Sequence, residues 1–213
     1  MGIGKVMKYA VFLDRDGVIN RDWWNFQTQA WESPIRPEDF SLHDGALEAL
    51  LALRSVGYRL FLVSNQPSAA KGKCTVKDLK AVHERFLEIL SANQIEFDDF
   101  FYSYTHPSGV VRELSGPSPE RKPSPYFLNY AISRFGLERG ECWMVGDRCT
   151  DIECGKRAGV RTIRVNGSKS DSVTDNCHPD FMVPDLPAAV AMIIATGLPG
   201  PIEMPRNSRP SRA

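Results

Sequence analysis

The chain has 213 residues, 42% of them hydrophobic, with 26 basic and 26 acidic side chains and a formal net charge of zero. That length supports one substantial core, and the charge balance excludes a general polyanion-binding surface, so no nucleic-acid partner is expected. The first eight residues lack a leader-like apolar run, and no stretch approaches the roughly 20 apolar residues of a membrane span, so a cytoplasmic protein with no membrane partner is expected.

Tyr9 to Leu13 reads as a short buried strand that ends at Asp14-Arg15-Asp16-Gly17-Val18-Ile19-Asn20. Two carboxylates two residues apart, at a strand mouth and before a permissive glycine, suit a nucleophile and a proton-transfer partner beside a metal. Residues 21–37 hold Trp23, Trp24, Phe26 and Trp31 among polar residues and prolines, with no steady period. They read as a long loop or flap. Its aromatics either pack over the core or close over substrate as a lid, and the residues leave both accounts open.

Regular structure resumes with a helix over Asp44–Gly57, a strand over Tyr58–Val63 that ends at Ser64-Asn65-Gln66, and a helix over Thr75–Asn93. Thr75 followed by Asp78 fits an N-terminal capping arrangement. A strand over Phe100–Tyr104 leads into a Pro-, Ser- and Gly-rich loop to Pro125, then a helix to Phe135 and a strand over Glu141–Val145. A helix over Asp151–Ala158, a strand over Val160–Val165 and a late helix over Leu186–Ala195 complete the alternation. This order predicts an α/β fold: an open three-layer, Rossmann-like sandwich with a mainly parallel central sheet and short loop elaborations instead of a large cap. Residues 1–196 form a single domain on this reading, and 197–213 a flexible tail. Cys74, Cys142, Cys149, Cys154 and Cys177 are odd in number and dispersed, which predicts reduced thiols rather than a disulfide framework.

Ligands of open α/β sheets gather beyond the carboxyl ends of the strands. Four polar segments fall there: Asp14-x-Asp16, Ser64-Asn65, Arg121-Lys122-Pro123 and Gly146-Asp147-Arg148-Cys149-Thr150-Asp151. Each has a bland account when taken alone, as a solvated turn, a helix cap or a surface charge. Their ordered combination favours one centre. Asp14 with Asp147 or Asp151 can bind a hard, oxygen-preferring Mg²⁺ ion, and a carboxylate can attack phosphorus. Ser64 and Asn65 can donate to phosphate oxygens, Lys122 supplies positive charge, and Asp16 can exchange protons with the leaving oxygen and with water. Arg148, within the fourth segment, is a further phosphate- or substrate-binding candidate.

With these motifs the chain resembles the haloacid dehalogenase-like phosphatases over Tyr9 to Val165, in the branch that contains histidinol-phosphate and heptose-bisphosphate phosphatases. The resemblance implies Asp14 as nucleophile, Asp16 as general acid/base, Ser64 with Asn65 at the phosphate, Lys122 as the motif lysine, and Asp147 and Asp151 in the metal loop. It also implies that the main-chain carbonyl of Asp16 contributes to the Mg²⁺ site, and that Arg121 recognises the remote part or second phosphate of a substrate. Retention of Asp16 favours a phosphatase over a dehalogenase.

The chain departs from that branch in three places. Tyr104, Ser118 and Glu120 stand where a zinc loop would place cysteines, with His106 retained, so no structural zinc is expected. The aromatic segment replaces a shorter substrate loop. Lys71 stands in a Pro67–Gly72 segment where relatives carry arginine, which removes a bidentate fork. The resulting expectation is a monomeric, Mg²⁺-dependent phosphomonoester hydrolase of carbohydrate metabolism that acts on a small phosphorylated metabolite. D-glycero-D-manno-heptose 1,7-bisphosphate leads, histidinol phosphate is the alternative, and a phosphometabolite-binding regulatory protein with little turnover is the rival of another class.

Overall fold

The structure, a computed structural model, describes residues 8–26, 28–167 and 177–197. In chain order it has β1 (Ala10–Leu13), β2 (Trp23–Asn25), β3 (Ala30–Glu32), α1 (Ala46–Ser55), β4 (Arg59–Asn65), α2 (Val76–Ala92) and β5 (Asp99–Ser103). After a long loop follow α3 (Tyr126–Phe135), β6 (Cys142–Gly146), α4 (Cys149–Ala158), β7 (Arg161–Val165), β8 (Phe181–Val183) and α5 (Leu186–Gly197).

Successive side chains of a strand point to opposite faces of its sheet, and the central strands use both faces. Val11 and Leu13 of β1, Leu60 and Leu62 of β4, and Trp143 and Val145 of β6 enter one core with residues of α1, α2 and α5. Their alternates, Ala10 and Phe12, Phe61 and Val63, Cys142 and Met144, enter a second core with residues of α3 and α4. Strands buried on both faces read as unbroken apolar runs. The expected three-layer α/β sandwich follows.

The strands lie in the order β5-β4-β1-β6-β7-β8, every pair parallel. Leu13 sits opposite Leu62 on one side and Val145 on the other. The chain first builds outward from β1 to β5, then returns to the opposite side of β1. Ligands collect at such a reversal. Phe61, fully buried, stacks on Phe12 with centroids 5.2 Å apart and tilts against Phe135 at 5.0 Å, which anchors the sheet beneath the carboxyl edge.

Local signals hold where they are chemical. Thr75 accepts from the Asp78 N–H at 3.2 Å while Asp78 accepts from the Thr75 N–H at 2.8 Å, a reciprocal cap on α2.

Four expectations need correction or placing. Residues 21–37 are not an irregular loop: β2 and β3 form an antiparallel hairpin with Trp24 opposite Trp31, followed by a 3-10 turn at Pro37–Asp39. Helix α4 begins at Cys149, two residues earlier than the pattern suggests, and β8 was not anticipated because three residues carry too little periodicity. Cys149 and Cys177 are joined as a disulfide, contrary to the expectation of reduced thiols, while Cys74, Cys142 and Cys154 are free. The physical reason is proximity. The chain leaves β6 into α4 and returns along β7 beside it, bringing two thiols that lie far apart in sequence to a Cα separation of 5.4 Å. The flexible tail expected over 197–213 falls, beyond Gly197, outside the described residues.

The disulfide spans 28 residues. On the chain-entropy account, Cys177→Ser should lower the unfolding free energy by about 3–4 kcal/mol. Urea denaturation without reductant measures this, and dithiothreitol should impose the same loss on the unsubstituted protein. Identical midpoints for all three samples would show that the bridge contributes nothing.

Candidate active site

Beyond the carboxyl edge of β1, β4 and β6 the four polar segments converge. Asp14 continues β1 by one residue, its N–H donating to the Val145 carbonyl at 3.0 Å. Its Oδ1 accepts from the Arg15 N–H at 2.8 Å and lies 3.0 Å from Lys122 Nζ. Lys122 reaches this point from the loop before α3. It is 2% exposed, donates to the Val63 carbonyl at 2.6 Å and pairs with Asp151 Oδ1 at 2.6 Å. Burial works against its charge, but Asp14 and Asp151 outweigh burial and its pKa is raised.

Asp151 stands in the first turn of α4, where its Oδ2 caps the helix by accepting from the Arg148 N–H at 3.0 Å. Asp147 ends the β6 segment, 3% exposed, with Oδ1 buried and lacking a hydrogen-bond partner. Burial first, then the Asp151 and Asp14 carboxylates, pushes its pKa up to about 8. Asp151 is raised as well, chiefly by burial, with Lys122 pulling the other way.

Asp14, Asp147 and Asp151 each offer a carboxylate oxygen within 4.8 Å of the others. Three glycines make room for them: a Cβ at Gly146 would collide with the Asp151 side chain, and two others clear Asp147. Gly17 has φ +82°, a left-handed conformation, and a Cβ there or at Gly167 would collide with the Asp147 carboxylate. Three buried carboxylates, one orphaned oxygen and a cradle that a Cβ would fill suit a hard divalent cation. His106 takes no part in this cluster. Its Nδ1 accepts from the Ser108 N–H at 3.0 Å, and its loop is tied down where the Val110 N–H donates to the Ala70 carbonyl at 2.8 Å.

Asp16 lies in a separate polar nest. Its Oδ1 accepts from Arg15 Nε at 3.1 Å and Asn20 Nδ2 at 3.0 Å, and its Oδ2 from Gln66 Nε2 at 2.7 Å. Burial would raise its pKa, but the Arg15 charge and these hydrogen bonds hold it below the ordinary carboxylate value. Arg15 is fully buried, with Nη2 donating to Gln66 Oε1 at 3.1 Å and its guanidinium 5.8 Å from the Phe40 ring centroid and 5.9 Å from that of Tyr102. Sequence reading overlooked Arg15 and Gln66. Both lie inside quoted motifs, yet an arginine between two aspartates reads as solvated until its burial is seen.

The remaining candidates line or flank one cleft of about 490 Å³. Ser64 is buried, its Oγ accepting from Gln66 Nε2 at 3.1 Å, which leaves the hydroxyl hydrogen to donate. Asn65 reaches the cleft, but its side-chain amide exchanges two hydrogen bonds with the Lys122 main chain, at 3.0 and 3.1 Å. Lys71, Arg121 and Arg148 line the cleft as well. Arg121 is half-buried, donates to the Thr105 carbonyl at 3.0 Å, and has its pKa lowered by burial and then by the Arg148 charge. Trp31, Glu32 and Lys73 also line the cleft, and sequence reading did not assign them to the site individually.

Three comparisons fit this geometry. The HAD-hydrolase-like family matches residues 120–189, the span that carries Arg121, Lys122, Asp147 and Asp151. The D-glycero-D-manno-heptose-1,7-bisphosphate 7-phosphatase of Chlorobaculum tepidum is 35% identical over 188 residues, 84% of this chain and 91% of that protein. Its namesake from Thermosynechococcus vestitus is 33% identical over 193 residues, 86% and 94% of the two chains. In fold, the D,D-heptose 1,7-bisphosphate phosphatase of B. bronchiseptica, solved with magnesium and phosphate, superposes with a TM-score of 0.71 at 22% identity, covering 88% of this chain and 98% of that one. Among the described residues no helix is long and apolar enough to cross a membrane.

The Asp147 cluster has a consequence for stability. In chelator, folded Asp147 keeps its proton up to about pH 8, whereas an unperturbed carboxyl loses it near 3.8. The folded chain binds more protons between those values, so stability falls as pH rises through that window. Thermal midpoints of the unsubstituted protein should decline there more steeply than those of Asp147→Asn. Parallel curves would refute the assignment.

Proposed function

The chain belongs to the haloacid dehalogenase-like phosphatases, in the heptose-bisphosphate phosphatase branch, and from that premise we propose that it hydrolyses the 7-phosphate of D-glycero-D-manno-heptose 1,7-bisphosphate. It is a phosphatase. The observation that carries a bisphosphate substrate is the pair of guanidiniums in the cleft lining. Arg121 and Arg148 line the same cleft, where burial and then the Arg148 charge work against the Arg121 charge, an arrangement an anion relieves. Histidinol phosphate would instead bring a positive amine and imidazole to these cations.

The roles we assign follow from the contacts. The Asp14 carboxylate attacks phosphorus, an aspartyl phosphate forms, and the bond from phosphorus to the sugar oxygen breaks. Lys122, fixed between Asp14 and Asp151, offsets charge on the phosphoryl oxygens, and the Ser64 hydroxyl donates to one of them. Asn65 holds the main chain of Lys122 in place. Asp14, Asp147 and Asp151, with the Asp16 carbonyl, would hold Mg²⁺, which when bound supplies positive charge beside the phosphoryl group.

Asp16 protonates the leaving oxygen, then accepts a proton from the water that cleaves the aspartyl phosphate. Its three donors favour the charged carboxylate, which suits the second step. For the first, a donor must yield so that the carboxyl can carry a proton. Lys71, Arg121 and Arg148 receive the remote phosphate. We take the monomer as the acting form. The Cys149–Cys177 bridge removes reduced thiols as an argument for the cytoplasm, leaving the phosphosugar substrate to support that location.

Asp14→Asn should lower kcat by about 10³-fold or more while the protein stays folded. Chelation should abolish phosphate release and Mg²⁺ restore it. Across heptose 1,7-bisphosphates, histidinol phosphate and other sugar phosphates, kcat/KM should be highest for a heptose bisphosphate. No preference would sink the substrate assignment, and saturable binding without phosphate release from any of them would favour the regulatory rival.

A further inference from the structure

The β2–β3 hairpin lies outside the six-stranded sheet, yet it supplies a wall of the catalytic cleft. Trp31 stands there with 49% of its surface exposed, its indole edge-on to Trp24 at 5.5 Å. The neighbouring Glu32 locks the strand in place. Its Oε1 pairs with Lys73 Nζ at 2.6 Å and accepts from the Thr28 hydroxyl at 2.9 Å, while its Oε2 accepts from Asn25 Nδ2 at 3.3 Å. Lys73 belongs to the loop between β4 and α2, so this ion pair ties the hairpin to the sheet edge that carries Ser64 and Asn65. Most of the remaining lining is charged or polar. An apolar ring in such a cleft has no partner in the inner phosphate or the acidic cluster, but it matches the C–H face of a sugar ring that joins two phosphates.

We propose that Trp31 is a specificity-determining platform for the leaving group, stacking on the ring of a cyclic phosphosugar, and that Glu32 and Lys73 are positioning residues for it. The proposal rests on the phosphosugar reading above and adds the residue that distinguishes a ring from an open chain. A platform tied by Glu32 to Lys73, Thr28 and Asn25 is preformed, so it discriminates without a large closing motion. Its effect falls on substrate capture rather than on the chemical step, because Asp14 and Lys122 are held by Arg15, Val63 and Asp151 and not by the hairpin.

Trp31→Ala should lower kcat/KM for D-glycero-D-manno-heptose 1,7-bisphosphate by about 10-fold, mostly through KM. For glycerol 3-phosphate, which has no ring, kcat/KM should stay within about 2-fold of the unsubstituted enzyme. Trp31→Phe should recover most of the loss, and Lys73→Met should reproduce part of it with the same split between substrates. An equal loss on both phosphates would make Trp31 merely structural, and no loss on the heptose would remove the platform. Calorimetry separates this proposal from the phosphatase reading. If Asp14→Asn binds the heptose bisphosphate about 10-fold more tightly than Asp14→Asn/Trp31→Ala, the platform stands even without turnover. Equal affinities overturn it even if the phosphatase reading holds.

Discussion

The site depends on one buried ammonium. Lys122 Nζ lies within 3.0 Å of Asp14 and 2.6 Å of Asp151, with the Val63 carbonyl as its third partner. Three carboxylates share that region, and a single lysine cannot balance three negative charges. A buried charge without compensation costs several kcal/mol, so the remainder must be neutralised by protons or by a cation. The raised pKa of Asp147 expresses the first solution; divalent binding supplies the second. Protons and metal therefore compete for the same oxygens. Any residue that shifts Lys122 disturbs Asp14, Asp151 and, through Asp151, the cap of α4 together.

The second acidic group is kept apart from that balance. Asp16 has its own countercharge in Arg15, and Gln66 bridges the two while also contacting Ser64. Carboxylates two residues apart thus receive opposite environments: one faces an excess of negative charge, the other is satisfied on both oxygens. Different environments are what allow like groups to do different work.

Much of this was legible in the sequence because the core strands are buried on both faces and read as plain apolar runs, each ending in a polar segment. Asp14, Ser64 and Asp147 could be placed at one edge from that rule, whereas Lys122, far along the loop before α3, was placed by its motif. The hairpin was not legible, since Trp23–Asn25 and Ala30–Glu32 are each three residues long and their pairing is set by a cross-strand Trp24–Trp31 contact. The Cys149–Cys177 bridge was hidden for a related reason: its partners meet only through the parallel pairing of β6 with β7. Arg15 shows the same limit from the other side. Its residue type predicts solvent, and only Phe40, Tyr102, Asp16 and Gln66 closing around it make a buried guanidinium tolerable.

These differences in legibility follow the division of labour. The acidic centre joins the ends of β1 and β6, the first turn of α4 and the Lys122 loop, with Lys122 paired to two of its carboxylates, so a substitution there disturbs several charges at once. The hairpin pairs only with itself among the strands and is bound to the sheet edge through Glu32 and Lys73. An ion pair of that kind, partly open to solvent, is worth roughly 0.2–1 kcal/mol when isolated, too little to support the core but enough to bias the orientation of a short hairpin. Its aromatic content can therefore change without cost to the phosphoryl centre. On the proposed reading, a substrate ring would meet the part of the structure least constrained by catalysis, and its phosphate the part most constrained.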